Sequence, residues 1–180
     1  MADTPAIELQ GAWTIRDCIR FHYFHTFRLA WPILPVAAAC GALAPGMLLF
    51  GVGRPLAAHL IPFSGMSLMW LVCILFAPHW KAARQWKVQM YLRKSATVWF
   101  DAAGLGIKGE DISCSATWKT ILSLWETRSL FVFYYTPSLA YLVPKRFFRD
   151  AAAMASFRAL AASAISPKSI RPPGVMARWC

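Results

Sequence analysis

From Leu29 to Trp80 the chain is almost without charge: Arg54 is the one formally charged residue between Arg28 and Lys81. It divides the stretch into two apolar runs, and Gly51, Gly53 and Pro55 around it are helix breakers. A bilayer's hydrocarbon core takes about 20 apolar residues of helix. The pattern therefore predicts a transmembrane hairpin over 29–80, with spans of about 29–52 and 57–80. Two buried core helices of a soluble protein are the alternative reading. Pro32, Pro35 and Pro45 are expected to bend the first span, and Pro62 to trim or kink the start of the second. Small residues four apart, Ala37 and Gly41, Ala38 and Ala42, Ala42 and Gly46, allow close helix contact in lipid.

Beyond the second run the helical pattern continues through 81–94, now with basic residues. From Ser95 it changes to short alternating segments, 96–101, 105–109, 112–117, 120–126, 130–135 and 139–143, with turn residues between them. Such spacing predicts an antiparallel meander. Pro144 stops the last strand, Asp150 is a candidate N-cap, and Met154, Phe157, Leu160 and Ala161 recur at helical spacing. Residues 6–13 form one more candidate strand. Thr14 followed by Asp17 resembles a capping box, opening a helix through about Phe27. If both termini lie on one side of the membrane, that strand can join the C-terminal sheet.

The predicted organisation is a strand and lead-in helix over 1–28, the hairpin over 29–80, and a basic juxtamembrane helix over 81–94. A strand-rich domain over 95–165 and a flexible basic tail over 166–180 follow. The fold class is membrane α+β: a helical hairpin plus a small antiparallel PH-like β-barrel, or a half-open sheet, with a C-terminal helix.

Composition agrees. Of 180 residues 58% are hydrophobic and 15% charged, which argues against disorder and against a plain soluble enzyme. The net charge of +11 points to an anionic partner. Arg16, Arg20 and Arg28 precede the first span and Lys81, Arg84, Lys87, Arg93 and Lys94 follow the second, against Arg54 alone in the connection. That bias places both termini in the cytoplasm, and Trp31, Trp80 and Trp86 fit an aromatic belt. Asp3 and Glu8 stand where a signal peptide would carry a basic region. The five cysteines form no CxxC pair and fit free thiols in a reducing compartment.

Several landmarks recur in the second half: Phe100-Asp101-Ala102-Ala103-Gly104-Leu105, then Trp118 with Ile121, then Glu126-Thr127 ahead of Leu130-Phe131-Val132, then Val143-Pro144-Lys145-Arg146-Phe147-Phe148. With these, 95–165 resembles the C-terminal domain of the YcxB-like family of bacterial membrane proteins. Arg149-Asp150 after the Pro-Lys-Arg-Phe run is a departure. The resemblance implies two membrane helices followed by a small PH-like domain, located in the bacterial cytoplasmic (inner) membrane. It implies no reaction and no cofactor.

For chemistry, Lys145, Arg146 and Arg149 form a basic junction ahead of a helix N-terminus, a candidate contact for a phosphate, a lipid headgroup or an acidic partner. Phe147 and Phe148 within it are expected to anchor the terminal helix. Trp118 is expected in the core with its N–H bonded to backbone. Cys18, His22 and His25, with His79 nearby, share a helical face and are weak metal candidates. No nucleophile, P-loop or dinucleotide motif occurs, so no enzyme activity is expected. The juxtamembrane cations are accounted for by topology, so nucleic acid is not an expected partner. Expected partners are the membrane itself, anionic lipid headgroups, and a membrane protein or a second copy. The reading is an inner-membrane protein displaying a PH-like domain for protein or lipid contact. The alternatives are an accessory subunit of a transporter or envelope complex, and a membrane enzyme using Cys18, His22 and His25.

Overall fold

A computed structural model describes residues 7–49, 54–166 and 169–171. The expectations placed on Gly51, Gly53 and most of the tail lie outside them. So do the side chains at 43–49 and 54–63, and with them the packing of Ala42 on Gly46.

The chain begins with β1 (Ile7–Ala12) and α1 (Ile15–Ala30). Trp31–Ile33, with Pro32 inside it, forms a turn to α2 (Leu34–Leu49), and α3 (Arg54–Val88) follows. Pro35 and Pro55 each occupy the second position of their helices, where a missing N–H costs nothing. Pro62 does not trim α3, which starts at Arg54 and runs 35 residues through it. α2 packs against α3, and Ser64 Oγ donates to Cys40 O at 3.3 Å. Those two residues are about equally far from the connection, which is the register of an antiparallel pair.

After a 3-10 turn at Met90–Arg93 come β2 (Ser95–Phe100), β3 (Gly104–Gly109), β4 (Ser113–Thr117), β5 (Ser123–Glu126), β6 (Leu130–Tyr134) and β7 (Ala140–Pro144). Then α4 (Ala151–Ala164) and β8 (Ile170–Arg171) close the described chain. The strands form two four-stranded sheets, ordered β1-β2-β3-β4 and β7-β6-β5-β8. β1 pairs antiparallel with β2, Leu9 opposite Val98, so the small domain is assembled from both ends of the chain. Gly11 makes this possible: a Cβ there would stand 2.3 Å from the Phe147 ring.

Two expectations are corrected. The meander is not continuous, because a 3-10 turn at Trp118–Thr120 carries the chain from one sheet to the other. Trp118 fixes that turn by donating its Nε1–H to Asp101 O at 2.8 Å. Nor is 166–180 wholly a free tail, since Ile170 and Arg171 pair in parallel with Leu124 and Trp125.

β6 is buried on both faces, as its unbroken run Leu-Phe-Val-Phe-Tyr requires. Phe131 and Phe133 face the main core with Phe100 and Phe157. Phe157 on α4 is fully buried, its ring 4.7 Å from Phe100 and 4.8 Å from Phe131. Asp150 caps α4, its carboxylate accepting from Ala153 N at 2.7 Å. Leu130, Val132 and Tyr134 point the other way, against Phe21 and Phe24 of α1. On a further face α1 meets α3, where Tyr23 Oη donates to Leu75 O at 2.8 Å and His22 hydrogen-bonds Gln85 at 2.7 Å. α1 is thus packed between the long helix and the second sheet and holds the two together.

Candidate functional site

Two of the three cations of the basic junction after β7 are paired with carboxylates of the same chain. Arg146 Nη1 donates to Asp17 Oδ1 at 2.6 Å and its Nη2 to Ala12 O at 2.7 Å. Asp17, at 1% exposure, also accepts from Thr14 N and Thr14 Oγ1, so the capping box at the start of α1 is bound to the junction. Lys145 instead reaches Glu126 at 2.6 Å, where Arg158 of α4 also binds, at 2.7 Å. Lys145 and Arg146 therefore go to separate internal carboxylates, and Arg149 remains exposed beside them. Phe148 packs on Phe131 and, at 5.3 Å, on Phe157 of α4, as expected of an anchor for the terminal helix, whereas Phe147 stands edge-on to Trp13 beside β1 instead.

Burial opposes the charge on Glu126, but Arg158 and Lys145 outweigh it and hold the carboxyl below its usual range. The pairing staples β5, the β7–α4 junction and α4 together. Sequence alone does not reveal it, because the partners lie on three different elements.

The expected juxtamembrane cations divide in two. Lys81, Arg84 and Lys87 are exposed along one side of α3. Arg93 folds back on Trp86, donating to its carbonyl at 2.9 Å and lying 5.5 Å over its ring. Lys94 pairs with Glu110 and Asp111 at 2.9 and 2.7 Å.

Cys18, His22 and His25 do share a side of α1 but are committed elsewhere. The Cys18 thiol is fully buried and pushed up to about 11 by that burial and by Asp17, which keeps it protonated and a poor ligand. His22 is bonded to Gln85, and His25 Nδ1 lies 3.0 Å from Tyr134 Oη. Burial lowers both imidazoles below 6.5. His79 stands edge-on to Tyr23. Among the described residues no three His, Cys, Asp or Glu side chains are placed to hold a metal ion.

Sequence reasoning missed a cluster at the end of β6. The Arg28 guanidinium lies 4.4 Å over the Tyr134 ring and 5.4 Å from that of Trp125, while His25 and Phe21 stack beside Tyr134. Burial pushes the Tyr134 phenol up to about 12, a rise that Arg28 opposes. A groove of about 620 Å³ opens between Ile7, Ala102 and the small-residue side of α4 at Ser156, Ala159 and Ser163. Among the described residues its lining is uncharged and includes the hydroxyls of Ser156 and Ser163.

The molecule is thus an α+β protein in which two four-stranded sheets, antiparallel but for the β5–β8 pair, and α4 are tied, through α1, to a long apolar helix. Residues 100–161 match the model of the YcxB-like protein family. No curated protein and no solved structure matches the chain.

Proposed function

We propose that this is an integral protein of the bacterial inner membrane. In this reading the α2–α3 hairpin crosses the bilayer, and α1 holds a PH-like strand domain rigidly on the cytoplasmic face as a contact platform for protein or lipid. One observation carries it. Ser64–Val88 is long and apolar enough to cross a membrane, yet only 17% of its most apolar window is buried. Met66, Met69, Trp70, Val72, Leu75 and Phe76 stand half or more exposed. The core helix of a soluble protein hides such residues, whereas a bilayer covers them at a gain of about 25 cal/mol per Å² of apolar surface. The exposed Lys81, Arg84 and Lys87 continue the same helix and supply the positive charge expected on the cytoplasmic side.

Reporter fusions test the topology. A reporter active only in the periplasm is expected to be silent after Cys180 and active near Arg54. The reverse pattern overturns the orientation, and silence at both sites overturns the hairpin.

A further inference from the structure

We infer that the end of the second sheet formed by Leu122, Tyr134 and Leu139 rests in the headgroup layer of the bilayer, with Leu122 and Leu139 as its apolar contacts. This rests on the membrane reading above and specifies which surface of the strand domain faces lipid.

Depth is the first argument. The Tyr23 ring stands 5.3 Å from that of His79 and its hydroxyl reaches on to Leu75 O, while His22 bonds Gln85 on the other side, so α1 at Tyr23 is level with about His79 of α3. Arg28 lies five residues further toward α2, roughly 7 Å along the axis, and is therefore close to the height of Leu75. At that height α3 exposes Val72, Leu75 and Phe76. The guanidinium of Arg28 lies over Tyr134, the last residue of β6, which brings that end of the sheet down to the same level. Leu122 N donates to Tyr134 O at 2.8 Å and Tyr135 N to Leu139 O at 3.2 Å, so both leucines flank this end.

Polarity is the second, independent argument. Within 95–166, Leu122 and Leu139 are the large hydrophobic side chains that stand exposed, at 54% and 53%. The turn beside them, Thr136-Pro137-Ser138, carries no charge. Tyr135 and Tyr141, their rings 4.8 Å apart, adjoin it, a residue type favoured at headgroup depth. The acidic turn of Glu110 and Asp111 is bound to Lys94, beyond the far end of α3. From Leu75 to Val88 that helix rises roughly 20 Å away from the membrane. The domain thus turns an uncharged, apolar end toward the lipid and an acidic end away from an anionic leaflet.

The test uses the full chain in vesicles of mixed zwitterionic and anionic phospholipid, with Cys40, Cys73, Cys114 and Cys180 replaced by alanine and buried Cys18 retained. A nitroxide is placed in turn at Leu122→Cys, Leu139→Cys, Met69→Cys and Glu110→Cys. Its collisions with oxygen, which concentrates in lipid, and with a water-soluble nickel chelate are compared. Leu122 and Leu139 are exposed, so labels there leave the core intact. Oxygen is expected to dominate at Leu122→Cys, Leu139→Cys and Met69→Cys, and nickel at Glu110→Cys. Nickel dominating at both leucine positions while Met69→Cys stays in lipid overturns this inference and leaves the hairpin standing. Nickel dominating at Met69→Cys as well overturns both.

Discussion

Arg146 and Asp17, 129 positions apart, meet in an ion pair of 2.6 Å that binds the first turn of α1 to the junction between β7 and α4. The cation is nearly half exposed and the carboxylate buried, so the cost of losing one partner is unequal. Removing Asp17 releases an arginine that turns to water. Removing Arg146 strands a desolvated carboxylate.

Arg146→Gln is accordingly expected to destabilise the folded protein by about 2 kcal/mol, the range for a hydrogen bond to a charged group left unmade. Thermal unfolding in detergent measures it. A midpoint unchanged from wild type means that the pair contributes nothing and that Thr14 alone satisfies Asp17.

Glu126 gives an acid limb to the stability curve. Its folded-state carboxyl is held below the ordinary value of 4.5, so the folded state binds fewer protons there than the unfolded chain. The stabilisation is present above that pH and is lost as pH falls through the folded value. Stability of the wild type should decline more steeply with acid below pH 4.5 than that of Glu126→Gln. Parallel curves for the two proteins contradict the assignment.

The α1–α3 contact should weaken on mild acidification. His22 and His25 are depressed from 6.5, first by burial, with Lys81 adding to both and Arg28 and the neighbouring His22 to His25; Gln85 opposes the shift at His22. The neutral forms favour the folded state, so the contribution is complete above pH 6.5 and is lost as pH falls through the folded values. Hydrogen exchange of α1 amides, corrected for intrinsic rate, should be faster at pH 5.5 than at 7.5. His22→Gln should reduce the difference.

Gly11 is a close-approach position. In Gly11→Val the new Cβ collides with the Phe147 ring, and overpacking of this kind costs about 1–3 kcal/mol. Gly65 is the control: nothing lies within 4 Å of a Cβ there, and Gly65→Ala in the interior of α3 should be neutral or stabilising. Protease resistance of the strand domain distinguishes them.

Local signals carried most of the fold. The Thr14–Asp17 box, the Asp150 cap and the β1 alternation each depend on residues a few positions apart, so sequence reasoning reaches them. The break between the sheets was not legible, because Trp118–Thr120 reads like any other turn until Asp101 is known to lie beside it. β8 was missed because two residues give no period. The pairing of the junction cations was not legible for the same reason. Their cluster is visible in the chain, but Asp17 and Glu126, which bind Arg146 and Lys145, reach them only through the folding of β1, α1 and β5. Arg28, read as one more positive-inside charge, acquires its place over Tyr134 only when α1 lies on β6.

Cys73 tests the membrane reading most directly, because its side chain is exposed on α3 within the uncharged run 55–80. In native membranes, treated with a charged maleimide before and after permeabilisation, Cys73 is expected to stay unmodified, since lipid covers it and neither water nor thiolate is present there. After denaturation in detergent and transfer to water it should react fully. Rapid labelling of Cys73 in the folded protein would place α3 in water and contradict the account.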